Sequence, residues 1–129
     1  MFSKVFLVIS CLFISSVSLA GDVSIRHVEF QKSSADWTAN VTLEHGDTGW
    51  KHYADAWRIV DTKGNVLGTR TLWHPHVDEQ PFTRSLSGIN IPTKTTKVYV
   101  EAHDKVHGWS KDRVLVDLRK TSGKRYKVR

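Results

Sequence analysis

Histidine is the residue type with the clearest chemical potential in this sequence. Two pairs are closely spaced: His74 and His76 flank a proline, and His103 and His107 enclose three residues. Residues i and i+2 of an extended segment face the same way, so the first pair offers two imidazoles on one side. Imidazole is the commonest transition-metal ligand, and a site needs three or four converging donors. The sequence therefore predicts a four-nitrogen metal site made by His74, His76, His103 and His107.

Three further residues are candidates for the same site. Glu79, Asp78 or His52 could replace one of the four histidines or hold one of them by a hydrogen bond. The chain's one cysteine and one methionine, Cys11 and Met1, both lie in its first residues. A donor set of nitrogen and oxygen suits Cu(II), Zn(II) or Ni(II) rather than Cu(I). No organic cofactor is indicated.

Three tryptophans near these histidines support a competing interpretation. Trp50, Trp73 and Trp109 could line a ligand groove or shield the histidines from water. The alternative function is a non-catalytic module that binds a protein or a ligand with this Trp and His surface, and a purely structural role for the residues also stays open. The sequence has no Gly-x-Ser-x-Gly elbow, no glycine-rich phosphate loop and no cysteine nucleophile. It predicts no catalytic residues, and an enzyme is not favoured.

The first twenty residues have the pattern of a cleavable secretory signal peptide. Lys4 precedes an apolar stretch from Val5 to Leu19, and Ala20 ends a small-x-small cleavage site. The stretch is shorter than the roughly 18 to 20 residues that span a bilayer, so no transmembrane anchor is expected. A competing interpretation makes Cys11 the lipidated residue of a lipoprotein. Either way we expect an exported protein, periplasmic or secreted, from a bacterium.

Short runs of alternating polar and apolar residues, separated by turn residues, fill the rest of the chain. Helical periodicity never persists for more than about a turn, whereas alternation is typical of half-buried strands. Seven strands are expected, at about 23–30, 36–44, 50–60, 66–72, 82–89, 96–102 and 113–118. The prediction is an all-β fold, a single antiparallel two-sheet sandwich over residues 21–118. Trp37 and Trp57 fall in phases that face its core.

The stretch from Lys97 to Leu118 supports this fold by resemblance. It combines an alternating strand, a loop with Gly108 and a valine-rich strand, and Ile91-Pro92-Thr93 precedes it like a corner. This pattern resembles the last two strands of a fibronectin type III domain, a relative of the immunoglobulin-like sandwiches. The resemblance covers about a fifth of the chain and implies a fold, which hosts many functions.

The order of the strands predicts where the histidines meet. In an antiparallel meander, the connections after the second, fourth and sixth strands lie at one end of the sandwich. Those connections contain or border six of the seven histidines, and His27 is the exception. We therefore expect one end of the molecule to be rich in histidine and tryptophan, and a protein partner could bind there.

The end of the chain is basic. Residues 119–129 contain six cations and no acid: Arg119, Lys120, Lys124, Arg125, Lys127 and Arg129. This composition predicts a flexible tail that could contact acidic surfaces. One aromatic residue, Tyr126, is too few for a platform that stacks single-stranded bases, so specific nucleic-acid binding is not expected.

Overall fold

A computed structural model describes residues 22–129, and the predicted signal peptide lies outside these described residues. Residues 22–129 form strands, turns and loops without a helix. The strands are β1 Ser24–Lys32, β2 Trp37–Glu44, β3 Ala54–Asp61, β4 Val66–Thr71, β5 Phe82–Ile89, β6 Lys97–Asp104, β7 Gly108–Asp117, β8 Ser122–Gly123 and β9 Tyr126–Val128.

The strands form two sheets, which confirms the predicted sandwich. One sheet has the order β5-β2-β1-β9-β8 and the other has the order β4-β3-β6-β7. All pairs are antiparallel except β1 with β9. Two bounds differ from expectation by more than one or two residues. β3 begins four residues after Trp50, and β7 begins at Gly108, so much of the predicted loop at 104–110 belongs to a β6–β7 hairpin.

The core lies between the sheets and is built from the inward phase of each strand. In β2 the buried residues are Trp37, Ala39, Val41 and Leu43, and each residue between them is partly exposed. Trp57 is fully buried in β3, so the prediction that Trp37 and Trp57 pack in the core is confirmed. Burying a large apolar side chain contributes about 2 kcal/mol, which makes this core the main source of stability.

A bulge in β1 explains why its buried residues change phase. The register with β2 shifts between Ile25 and His27. Val23 and Ile25 face the core before the shift, and Val28 and Phe30 face it afterwards. One extra residue in the strand therefore keeps four apolar side chains on one side of the sheet.

The expectation of a flexible tail at 119–129 is wrong. Strand β9 pairs in parallel with β1, and its Tyr126 is only 7 % exposed. The prediction considered the basic residues of this segment and overlooked its apolar ones. Tyr126 and Val128 alternate with Lys127, as in a half-buried strand, and β1 has a free edge that they can pair with. The end of the chain is part of the sandwich.

Arg125 fixes the turn into β9. Its guanidinium donates to the carbonyl of Ile25 at 2.8 Å and to Asp112 Oδ2 at 3.0 Å, and its backbone has a φ of 65°. A left-handed conformation is uncommon for a residue with a side chain. The two hydrogen bonds tie the start of β9 to β1 and β7, and they offset the cost of that conformation.

Replacing Tyr126 by alanine should destabilise the fold by about 3 kcal/mol, because it removes a buried aromatic ring and leaves a cavity. Urea unfolding followed by tryptophan fluorescence measures this change. Lys127→Ala, an exposed substitution in the same strand, is the matched control and should leave the midpoint nearly unchanged. Equal midpoints for the Tyr126 variant and the parent would contradict the docking of β9.

Candidate metal centre

Three connections meet at one end of the sandwich, as predicted. The connection after β2 contacts the one after β4 through His45 N–H to Gln80 Oε1 at 3.0 Å and His76 N–H to Asp47 Oδ2 at 2.8 Å. It also reaches the end of β6, where His45 Nε2 lies 3.7 Å from Asp104 Oδ2. Residues far apart in sequence therefore share one small volume.

The inward alternation of β2 and β6 continues into polar residues at this end. After Leu43 the next inward position is His45, which is 4 % exposed, and after Ala102 it is Asp104, which is fully buried. A strand places every second side chain on the same face, so these two groups form the polar end of the core. Continuing the inward phase of β2 and of β6 by one further position would have identified His45 and Asp104 from the sequence.

Two imidazoles and one carboxylate converge at this polar end. One donor atom each from His45, His52 and Asp104 lies within 4.8 Å of the others. His52 Nε2 lies 3.4 Å from Asp104 Oδ1, and the rings of His45 and His52 are 4.7 Å apart. His52 Nε2 is buried and makes no hydrogen bond within residues 22–129. Three donors of this kind are the minimum for a transition-metal site.

Asp47 orients the His45 ring. Its Oδ1 lies 2.5 Å from His45 Nδ1 and also accepts the N–H of Ala54 at 3.0 Å. Burial raises the pKa of Asp47, but the hydrogen bonds from His45 and from the backbone of His76 and Ala54 outweigh burial, so its pKa is below its ordinary value. An ionised carboxylate on Nδ1 favours the tautomer with its lone pair on Nε2, the atom that faces Asp104.

The β6–β7 turn holds Asp104 in place. Its Oδ1 accepts the N–H of Val106 at 2.8 Å and of His107 at 2.7 Å. Burial raises the pKa of Asp104, and these backbone bonds together with the His107 ring more than reverse the effect, so the pKa lies below its ordinary value. Asp104 is therefore an anion at neutral pH, and it lies beside imidazoles that could share a cation with it.

The structure brings only two of the predicted metal ligands into this cluster. His52 belongs to the donor group, and the His107 ring lies 5.2 Å from the His52 ring. In residues 22–129, His74, His76, His103 and His107 do not form a group of converging donors. The four-nitrogen arrangement is therefore replaced by one in which His45 and Asp104 take part, two residues that the spacing arguments did not select.

The remaining predicted ligands have other partners. His76 is buried and stacks on Phe82 with ring centres 4.0 Å apart, while exposed His74 lies against it at 4.6 Å. His103 faces outward, where its Nδ1 lies 2.5 Å from Asp55 Oδ1. Glu79 forms an ion pair with Arg84 at 3.1 Å. These contacts are typical of structural roles.

The three tryptophans are exposed at or near the same end. Trp73 is 76 % exposed and Trp50 is 68 % exposed, while Trp109 is 37 % exposed because Arg58 stacks over its ring at 3.7 Å. None of the three is in the donor group. They are exposed apolar side chains on or beside the connections that also carry the donor group.

Comparisons with known proteins add one relative and no family. No protein-family model matches the chain, and no solved structure matches it significantly. A protein of Halomicrobium mukohataei described as a "Putative lipoprotein" is 44 % identical over 78 residues, which is 60 % of this chain. The chain spans 38 % of that relative's length. In residues 22–129 there is no helix with the length and apolar character needed to cross a membrane.

Acid should destabilise the metal-free protein in two stages. Burial, and next the Arg84 charge, lower the pKa of His76 below its ordinary 6.5, so the unfolded chain takes up a proton there before the folded one does. Stability is therefore complete above about pH 6.5 and decreases as the pH falls below it. Asp47 and Asp104 add a second loss below their ordinary pKa of 3.8.

Thermal unfolding between pH 5 and pH 7.5 with a chelator tests the first stage. His76→Gln should flatten the decrease in melting temperature, whereas the exposed control His74→Gln should keep the slope of the parent. If the melting temperature decreased with pH by the same amount in all three proteins, His76 would not be the cause of the pH dependence.

Proposed function

We propose that the protein binds a divalent transition metal outside the cytoplasm, through His45, His52 and Asp104 at one end of a β-sandwich. The observation that supports this function is the convergence of two imidazoles and a carboxylate within 4.8 Å in a largely buried position. The side chains of His45 and Asp104 are 1 % and 0 % exposed, and that of His52 is 16 % exposed. Burial of this kind restricts exchange with water and favours retention of an ion.

The charges around the centre support a cation as the ligand. Asp47 and Asp104 are both buried and their pKa values are both lowered, so the site holds two carboxylates at neutral pH. A buried charge costs several kcal/mol unless it is paired, and a bound divalent ion would offset that cost. Asp47 on His45 Nδ1 also matches the carboxylate–histidine–metal arrangement in which a carboxylate makes the ligand more basic.

The donor atoms restrict the metal. The set is two nitrogens and one oxygen, and residues 22–129 contain no cysteine or methionine. Such a set suits Zn(II), Cu(II) or Ni(II), and it does not offer the soft sulfur that Cu(I) prefers. We infer that water completes the coordination.

The location outside the cytoplasm has two supports. The first twenty residues match a secretory leader, and the Halomicrobium relative is described as a lipoprotein. Cleavage after Ala20 and lipidation of Cys11 are different processing routes, and both lead to export. The proposal is that the mature chain binds metal in that compartment.

Calorimetric titration with Zn(II) and Cu(II) tests the metal site. Mutation of a residue that hydrogen-bonds a metal ligand weakens metal binding roughly 10- to 100-fold. His45→Ala or His52→Ala removes a ligand itself and should weaken binding by more than this. Asp47→Asn should fall within that range, because it removes the carboxylate on His45. His74→Ala, an exposed histidine at the same end, is the matched control and should bind like the parent. Far-ultraviolet circular dichroism checks that each variant is folded.

Two results would reject the proposed centre. One is a parent protein that binds neither ion at micromolar concentration. The other is undiminished affinity in the His45 and His52 variants. Loss of binding in His74→Ala and His103→Ala, with His45→Ala intact, would instead restore the four-histidine site that the sequence suggested.

A second candidate function uses the apolar surface around the centre. In residues 22–129, five of the seven exposed large hydrophobic side chains lie at this end: Trp50, Trp73, Val77, Val106 and Trp109. Clustered exposed aromatic residues are typical of protein or ligand interfaces. We propose that a partner docks on this surface.

A pull-down from envelope extracts tests the docking surface. Trp73→Ala should reduce capture of the specific partner at least about 10-fold, as expected for a central aromatic residue, whereas Leu115→Ala, exposed away from this end, should not. The same experiment with a chelator separates the two functions. Capture that depends on Leu115 as much as on Trp73 would reject this surface.

A further inference from the structure

A second group of donors lies next to the first and shares one residue with it. One donor atom each from Asp22, Asp104 and His107 lies within 4.8 Å of the others. Asp22 and His107 are exposed, whereas Asp104 is buried. Building on the proposed function, we infer that these three residues bind a second divalent transition metal and that Asp104 bridges the two ions.

The position of Asp104 supports a bridging role. Its Oδ1 accepts two backbone N–H groups, which fixes the carboxylate. Its Oδ2 lies 3.7 Å from His45 Nε2 and 3.1 Å from His107 Nδ1, so this oxygen is close to one imidazole of each group. A carboxylate oxygen has two lone pairs and can serve two ions.

The spacing of the two groups fits a pair of ions. Paired metal sites hold their ions roughly 3.5 to 4 Å apart, joined by shared ligands. The rings of His52 and His107, one from each group, are 5.2 Å apart, so the groups lie side by side. Asp22 adds a further carboxylate, which offsets the charge of a second cation.

The start of the described chain is held well enough to present Asp22. The next residue, Val23, is fully buried, and the Ile25 N–H donates to Asp112 Oδ2 at 3.1 Å. The core therefore anchors the chain one residue beyond Asp22. The two groups differ in burial, so the outer ion exchanges with solvent and the inner ion is retained.

Stoichiometry and magnetic coupling with Cu(II) test this inference on the purified exported protein. The parent should bind two equivalents. The second equivalent should reduce the paramagnetic resonance signal of the first, because carboxylate-bridged Cu(II) ions couple. Asp22→Asn should lose the second equivalent and the coupling while it keeps the first. Asp78→Asn, an exposed carboxylate at the same end and outside both groups, is the control and should keep two equivalents.

The outcomes separate this inference from the proposed function. A parent with one equivalent, lost in His45→Ala or His52→Ala, would overturn the second site and leave the first intact. Two coupled equivalents in Asp22→Asn would also overturn it. A parent that binds no Cu(II) or Zn(II) would overturn the proposed function itself.

Discussion

The buried carboxylate of Asp47 is the contact on which the end of the sandwich depends. It binds the His45 ring, the N–H of Ala54 at the start of β3 and the N–H of His76 in the connection after β4. One side chain therefore joins segments that are 29 residues apart and sets the direction of a candidate ligand. Because all three bonds favour the ionised form, the same contacts that order the loops also keep a negative charge inside the protein.

The sequence predicted the sandwich and the end at which its histidines gather, because alternation and strand order are both local in origin. Within that end, it grouped four histidines that do not form a group of converging donors in residues 22–129. His103 continues the outward phase of Tyr99 and Glu101 in β6, so its ring cannot reach the core, whereas Asp104 can. His76 is buried but packs on Phe82, a contact between loop and strand that spacing does not reveal. Short spacings between histidines carried less information than the phase of the strands that precede them.

The prediction for the C-terminal residues failed for a different reason. Their charge suggested solvent exposure, yet charge and burial belong to different side chains in the same strand. Arg125 uses its guanidinium to satisfy the Ile25 carbonyl and the Asp112 carboxylate, and Tyr126 beside it enters the core. The overall composition of a segment does not distinguish such neighbouring residues, one charged and one buried. The alternation of Tyr126 and Val128 with Lys127 allows a strand, and the free edge of β1, a property of the assembled sheet, gives it a partner.

The parallel pairing of β9 with β1 also has a consequence for synthesis. The hydrogen bonds of β1 cannot be completed until β9 has been synthesised, because Val28 pairs with Tyr126. Until then its backbone is an open template for strands of other molecules. Pairing so distant in sequence is slow to form, which lengthens that exposure.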